Sequence, residues 1–288
     1  VSDSHSTRLS DGRDLGWIEI GDPKGRALFG FHGTPGSRQQ LNVDNEALLS
    51  AGVRLVCPDR PGYGLSTFQP SRRLVDWPDD VAQLADHLGI ERFDVLGYSG
   101  GGPHAIVCAA LLPQRVNAGA IVSGVGPLSD PSAIAAMKSF NRLVNRLSQR
   151  RSRLVRPLMA AQVELARRWP SWALELLKKQ LPPADVRVVD RPDVRALLQD
   201  DISHASRTTG MSATQDFEIF ANDWGFDLTA IAVPLHLWQG DADRNVPPLH
   251  AQILHEQIKG SVLHVLPGQG HFMLYDHLDE ILASLTER

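Results

Sequence analysis

One serine in this chain stands where a hydroxyl can do chemistry. The stretch Asp94-Val-Leu-Gly-Tyr-Ser-Gly-Gly-Gly-Pro-His104 puts Gly97 and Gly101 two residues to either side of Ser99. The apolar run before Ser99 reads as a buried strand, and Pro103 to Leu112 reads as a helix. A serine on so tight a strand-to-helix turn presses its neighbours at −2 and +2 against each other, and only small residues fit there. The same turn strains the serine backbone and lifts its hydroxyl clear of the sheet. The amides that open the following helix favour negative charge above that hydroxyl. A nucleophile and an anion site thus share one turn. Two nucleotide-binding loops use similar pieces and fail on residue identity. A G-x-G-x-x-G fingerprint starting at Gly97 needs glycine where Ser99 stands, and a P-loop ends in Gly-Lys-Ser/Thr where this one ends in Pro103-His104.

The elements that must position this turn follow a repeating pattern. Short apolar runs at Ala27–Phe31, Val53–Cys57, Phe93–Leu96, Gly119–Val122, Pro234–Trp238 and Val262–Leu266 each end in turn residues. Helical stretches lie between most of them, as at Val81–Leu88, with apolar residues at 81, 84, 85 and 88. Buried strands alternating with helices predict an α/β fold with a mostly parallel sheet covered on both faces. Thr7–Leu9 and Asp14–Ile20 flank the turn signal Ser10-Asp-Gly-Arg13, which predicts an antiparallel hairpin at one edge. From Gly126 to Ala230 the strand pattern stops. Met137, Phe140, Leu143, Val144 and Leu147 fall at helical spacing, and Leu158–Trp169, Trp172–Leu181 and Ser212–Phe220 read as further helices. Pro170 and Pro182-Pro183 punctuate them. Ligands in open α/β sheets bind at the carboxyl ends of the strands. The residues just past the strands are therefore informative: His32-Gly-Thr-Pro-Gly-Ser-Arg38, the loop Asp59 to Ser66, Asp241 and Asp243, and His271. Serine, aspartate and histidine occur at strand ends in that order, with two aspartates available.

On these residues the chain resembles the α/β-hydrolase fold, in the form that carries an inserted helical cap. The matching pieces are His32-Gly33, the Asp59–Ser66 loop, Gly97–Gly101, Asp243-Arg-Asn-Val-Pro247 and Gly270-His271-Phe272. The resemblance implies a core of residues 1–125 and 231–288, with residues 126–230 as the cap. It implies Ser99 as nucleophile, His271 as general base and Asp243 as the acid that orients it. Asp243 is preferred because the family places the acid three residues before the valine of Val-Pro, here Val246. Asp241 is expected to bond backbone in its own turn. The oxyanion hole would be the amides of Gly100 and Thr34, Pro35 having no N–H to offer. His32 would brace its loop. A serine hydroxyl needs a base, a histidine titrates near neutrality, and a carboxylate fixes the imidazole tautomer. The implied activity is a serine esterase working through an acyl-enzyme, without cofactor or metal. The same triad serves C–C bond hydrolases and lactonases, and a hydrolase-fold ligand-binding protein is the reading from another class. Epoxide hydrolases and haloalkane dehalogenases are disfavoured, because they carry aspartate where Ser99 stands.

Bulk properties are those of a globular protein. The 288 residues are 42% hydrophobic and 22% charged, and the net charge of −4 gives no overall attraction to nucleic acid or anionic membranes. A small-molecule substrate is the expected partner. The sequence carries no signal for oligomeric state. No apolar run reaches the roughly 20 residues of a membrane span. Val1 to Arg8 lack the apolar core of a signal peptide, so a cytoplasmic protein is the expectation. Cys57 and Cys108 sit in apolar runs and read as buried free thiols. His255-Glu256 lacks the second histidine of H-E-x-x-H. His236 and His264 fall in strands, and His104 reads as a packing residue. Trp169, Trp172, Trp224 and Phe226 read as packing of the cap, with an aromatic-lined acyl pocket as the functional alternative. Lys138, Arg142, Arg146, Arg150, Arg151, Arg153 and Arg156 form a basic run, which reads as a solvated helix face or as an attractor of anionic substrates.

Overall fold

The computed structural model describes residues 3–137, 139–206 and 208–286, with the side chains of 139–141, 143–146 and 148–154 outside the description. The chain begins with β1 (Ser4–Arg8), β2 (Asp14–Gly21), β3 (Arg26–Phe31), α1 (Asn45–Ser50), β4 (Val53–Pro58), α2 (Trp77–His87), β5 (Phe93–Tyr98), α3 (Gly102–Leu111) and β6 (Val116–Val122). Among the described residues six helices follow: α4 (Pro131–Ala136), α5 (Ser139–Arg168), α6 (Pro170–Lys178), α7 (Pro183–Val189), α8 (Pro192–Ser203) and α9 (Thr209–Ala221). The chain then returns to the sheet as β7 (Leu235–Gly240), α10 (Leu249–Gln257), β8 (Val262–Leu266) and α11 (Leu278–Ser284).

The eight strands form one sheet in the order β1-β2-β4-β3-β5-β6-β7-β8. β1 pairs antiparallel with β2, and β2 with β4. Every later pair is parallel. Successive side chains of a strand point to opposite faces, so each central strand feeds two cores. Phe93 and Val95 of β5 pack on one face with Val81 and Leu84 of α2, Ile106 of α3 and Leu254 of α10. Leu96 and Tyr98 of β5 pack on the other with Leu48 of α1 and Ile281 of α11. A third, smaller core joins Leu174 of α6, Val188 of α7 and Leu198 of α8 to Phe272.

Two expectations for the helical region are corrected. Leu158–Trp169 does not form a helix of its own, because α5 runs from Ser139 to Arg168 straight through Pro157. A proline inside a helix removes one N–H bond, and here packing against α9 holds the helix together. Gly210 of α9 meets the α5 backbone, where a Cβ would lie 2.5 Å from Ala160 Cα. Trp224 is buried in the sheet core with Phe226 packed on it, rather than in a cap. The tail of the helical region therefore belongs to the main core.

Candidate active site

The residues after β5 fold as the glycine spacing requires. Ser99 sits at φ 53°, in the left-handed region, which costs a residue with a side chain roughly 1–2 kcal/mol. A Cβ on Gly97 would stand 2.7 Å from the Gly101 carbonyl oxygen and 2.8 Å from Ala105 Cβ, and one on Gly101 would overlap the Phe31 carbonyl. Glycine at both positions lets β5, the turn and α3 close on one another with the serine outermost.

Asp243 and His271 reach this turn from the loops after β7 and β8. His271 Nε2 lies 3.1 Å from Ser99 Oγ, and His271 Nδ1 lies 2.8 Å from Asp243 Oδ2. All three residues are buried. A carboxylate only accepts, so Nδ1 carries the ring proton and Nε2 offers its lone pair to the serine hydroxyl. The other oxygen of Asp243 accepts from the amides of Asn245 at 2.7 Å and Val246 at 2.9 Å, and Gln239 Nε2 donates to Oδ2 at 3.3 Å. Asp241 is not brought to the site. It accepts from the Gly268 amide at 2.7 Å, tying the β7 and β8 loops together instead of capping its own turn.

The histidine loop is held by residues that sequence reasoning did not single out. Tyr98 Oη and Ser123 Oγ both donate to the His271 carbonyl, at 3.3 and 3.2 Å. The Phe272 amide donates to Asp185 Oδ1 of α7 at 2.9 Å. Burial raises the Asp185 carboxyl above its ordinary range, against the bonds that the loop donates to it. Tyr98 had a signal in its place beside Ser99, whereas Asp185 and Ser123 had none.

Opposite the histidine, the loop after β3 lies on the serine turn. A Cβ on Gly33 would be 3.2 Å from Ser99 Cβ, and one on Gly100 would be 3.1 Å from the Thr34 amide nitrogen. The structure thus sets Thr34 and Gly100 side by side next to Ser99. His32 joins two loops: its Nδ1 donates to the Gly33 carbonyl at 2.9 Å, and its Nε2 accepts from the Arg60 amide at 3.1 Å. Burial first, and then the Arg60 charge, push its pKa well below the usual histidine range, so the ring is neutral.

Above the turn lies a cavity of about 750 Å³. Its walls are mostly apolar, with Leu165, Trp172, Leu177, Leu198 and Phe272 among them, and Asp201, Gln40 and Asn245 supply polar atoms. Asp201 accepts from the Ser37 amide and hydroxyl, each at 2.7 Å. Burial outweighs those bonds and raises its carboxyl to about 7. Of the two tryptophans near the junction of α5 and α6, Trp172 lines the cavity and Trp169 is exposed outside it. His104 is buried in the core beside the turn, and His236 Nδ1 lies 3.0 Å from His264 Nε2. Of the basic run, Lys138 and the side chains of Arg146, Arg150, Arg151 and Arg153 lie outside the described residues. Arg156 pairs with Glu218 at 3.2 Å, and Arg142 donates to the Ala135 carbonyl. Among the described residues no group of three or more histidines, cysteines or acids could hold a metal ion, and no helix is long and apolar enough to cross a membrane.

Residues 27–278 match the family model described as the alpha/beta hydrolase fold. A Bacillus subtilis protein named as the uncharacterized hydrolase YcgS is 25% identical over 276 residues, covering 91% of this chain and 90% of that one. A Cupriavidus pinatubonensis enzyme, named a 2-hydroxy-6-oxononadienedioate/2-hydroxy-6-oxononatrienedioate hydrolase, is 29% identical over 264 residues, 86% of this chain and 81% of its own. Among solved structures, a bromoperoxidase from Bacillus anthracis superposes with a TM-score of 0.74 at 19% identity, over 98% of this chain and 99% of that one.

Proposed function

This chain belongs to the alpha/beta hydrolase fold family, and from that premise we propose that it is a serine hydrolase cleaving a carboxylic ester through an acyl-enzyme on Ser99. The observation that carries the reading is the relay of Ser99, His271 and Asp243, at 3.1 and 2.8 Å, opening into a large apolar cavity. Ser99 Oγ attacks the carbonyl carbon as its proton passes to His271 Nε2. Asp243 stabilises the imidazolium and holds its orientation. The amides of Thr34 and Gly100 receive the charge that develops on the carbonyl oxygen. Collapse of the tetrahedral intermediate expels the alcohol, which takes the proton from Nε2. A water then gives its proton to Nε2 and attacks the acyl carbon. The second collapse frees the acid and returns the proton to Ser99.

In this reading the cap comes from residues 126–230, apart from the tail around Trp224 and Phe226 that packs into the sheet core, with 1–125 and 231–288 as the rest of the core. The cap helices α5, α6 and α8 supply most of the apolar wall. A cytoplasmic setting belongs to the same reading and suits the two free, buried thiols, Cys57 and Cys108. The cavity also favours one substrate class. Its described lining is mostly apolar, which suits the dicarboxylates in the Cupriavidus enzyme's name poorly. A neutral ester with an apolar acyl or alcohol part fits better.

The test is hydrolysis of p-nitrophenyl esters from acetyl to palmitoyl, with Ser99→Ala as control. The expected result is turnover that falls by about 10⁶ in the variant, as when the nucleophile of other serine hydrolases is removed. A folded wild-type protein that turns over none of these esters would refute the esterase reading and favour carbon–carbon cleavage, lactone opening or ligand binding.

A further inference from the structure

Beneath the serine turn lies a cluster of charges that the ester chemistry does not use. Asp216 of α9 and Arg60 of the loop after β4 are fully buried, and Arg72 nearly so. Asp216 Oδ2 accepts from Arg60 Nη1 at 2.5 Å, from Tyr63 Oη at 2.6 Å and from Thr34 Oγ1 at 2.7 Å, while Arg72 donates to Oδ1. Arg60 Nη2 donates in turn to Thr34 Oγ1 at 2.9 Å and to the Gly33 carbonyl at 2.8 Å. The Thr34 hydroxyl therefore both gives and receives a bond within the cluster. On the other side, His104 Nε2 lies 3.4 Å from Nη1 of both Arg60 and Arg72, and His104 Nδ1 donates to the Gly100 carbonyl at 3.0 Å. The cluster thus grips both residues whose amides face the developing charge: Thr34 directly, and Gly100 through one histidine.

We propose that this buried cluster is the positioning device of the oxyanion hole, with Asp216 as its keystone and Thr34 Oγ1 as its hold on the loop. The proposal rests on the serine-hydrolase reading. Stability alone does not account for the cluster. Two guanidinium groups around one carboxylate are expensive to desolvate, and apolar side chains of similar volume often serve a core as well. Geometry does account for it. Oxyanion donors act only when fixed within hydrogen-bond distance of an oxygen that becomes charged in the transition state. The loop after β3 is irregular backbone and has no ladder bonds to fix Thr34, so side chains must do so. Burial alone would raise the Asp216 carboxyl, but Arg60 and Arg72 hold it below the usual carboxylate range. Burial, and then Arg60, keep His104 neutral, so its Nε2 can accept from the arginines while Nδ1–H holds Gly100. Asp216 comes from the helical region, so α9 sets the geometry of the hole from 182 residues beyond Thr34 in the chain.

The test separates the hydroxyl of Thr34 from its amide. Thr34→Val keeps the N–H and removes both cluster bonds. Its kcat should fall about 10- to 100-fold, the scale of a displaced rather than a deleted oxyanion donor, with KM nearly unchanged. The affinity for an alkyl boronic acid, which forms a tetrahedral adduct on the serine, should fall in step with kcat. Thr34→Ser should recover most of the loss. Tyr63→Phe, which removes one bond to Asp216 without touching the loop, should lower kcat several-fold by the same route, and it serves if Thr34→Val does not fold. Wild-type kcat and wild-type boronate affinity in the folded Thr34→Val or Tyr63→Phe protein would overturn the proposal. Ester turnover that survives Ser99→Ala would instead overturn the hydrolase reading beneath it.

Discussion

Asparagine at position 243 would reverse the proton logic of the site without removing a heavy atom from it. Asp243 Oδ1 accepts from the amides of Asn245 and Val246, at 2.7 and 2.9 Å, and Oδ2 accepts from His271 Nδ1 at 2.8 Å. An asparagine has one acceptor and one donor end. The two backbone N–H groups claim the acceptor end, so the NH₂ group must face His271. Nδ1 can then only accept, and the ring proton moves to Nε2. That nitrogen can no longer take the proton of Ser99. The same substitution in another serine triad costs about 10⁴ in kcat through the wrong tautomer. At about 1.36 kcal/mol per factor of ten this is roughly 5.4 kcal/mol of lost transition-state stabilisation. Both backbone bonds survive and only the long 3.3 Å bond from Gln239 Nε2 is lost, so the melting temperature should change little and KM should stay within a few-fold. The assay is steady-state hydrolysis of the best p-nitrophenyl ester, with thermal unfolding run on the same sample. An Asp243→Asn protein within tenfold of wild-type kcat would refute the tautomer argument and remove Asp243 from the orienting role.

Two further predictions concern the frame around that relay. Gly97→Ala drives a Cβ to within 2.8 Å of Gly102 Cα and Ala105 Cβ. It should destabilise the protein by about 1–3 kcal/mol, as overpacking does, and lower kcat by moving Ser99; unchanged urea unfolding would contradict the close-approach argument. Asp201 has its carboxyl raised to about 7 from 3.8. Between those values the folded protein holds a proton that the unfolded chain has lost, so this group's contribution to stability falls as pH rises from about 4 to about 7. Asp201→Asn does not titrate and should gain stability relative to wild type between pH 5 and pH 8 in urea unfolding. A difference that does not vary with pH would show that the carboxyl ionises normally.

The strands were legible because buried strands declare themselves locally. Val262–Leu266 has the same bounds in sequence and structure, and the other five apolar runs differ from theirs by one to three residues. Ser99 and His271 were legible because each stands at a strand end in a short motif, whereas Asp243 was preferred over Asp241 only through the family resemblance. The long helix was misjudged because Pro157 is a local stop signal, and the compensating contact at Gly210 of α9 is far away in the chain. The buried charges were missed for a related reason. The Asp59–Ser66 loop entered the sequence reading only as a strand-end family motif, but Arg60 and Tyr63 within it turn inward to Asp216. Asp185 was invisible because a carboxylate early in a helix has an ordinary local explanation.

Sequence alone therefore determined the alternation of strands and helices, the strained serine turn and the residue types able to run a proton relay. Each of these is written in spacing over ten residues or fewer. Tertiary structure decided which aspartate meets the histidine, what encloses the cavity and what fixes Thr34 and Gly100 next to Ser99. Those outcomes join residues 28 to 182 positions apart, and a pairing at that distance is set by how the sheet and helices pack, which no local pattern records.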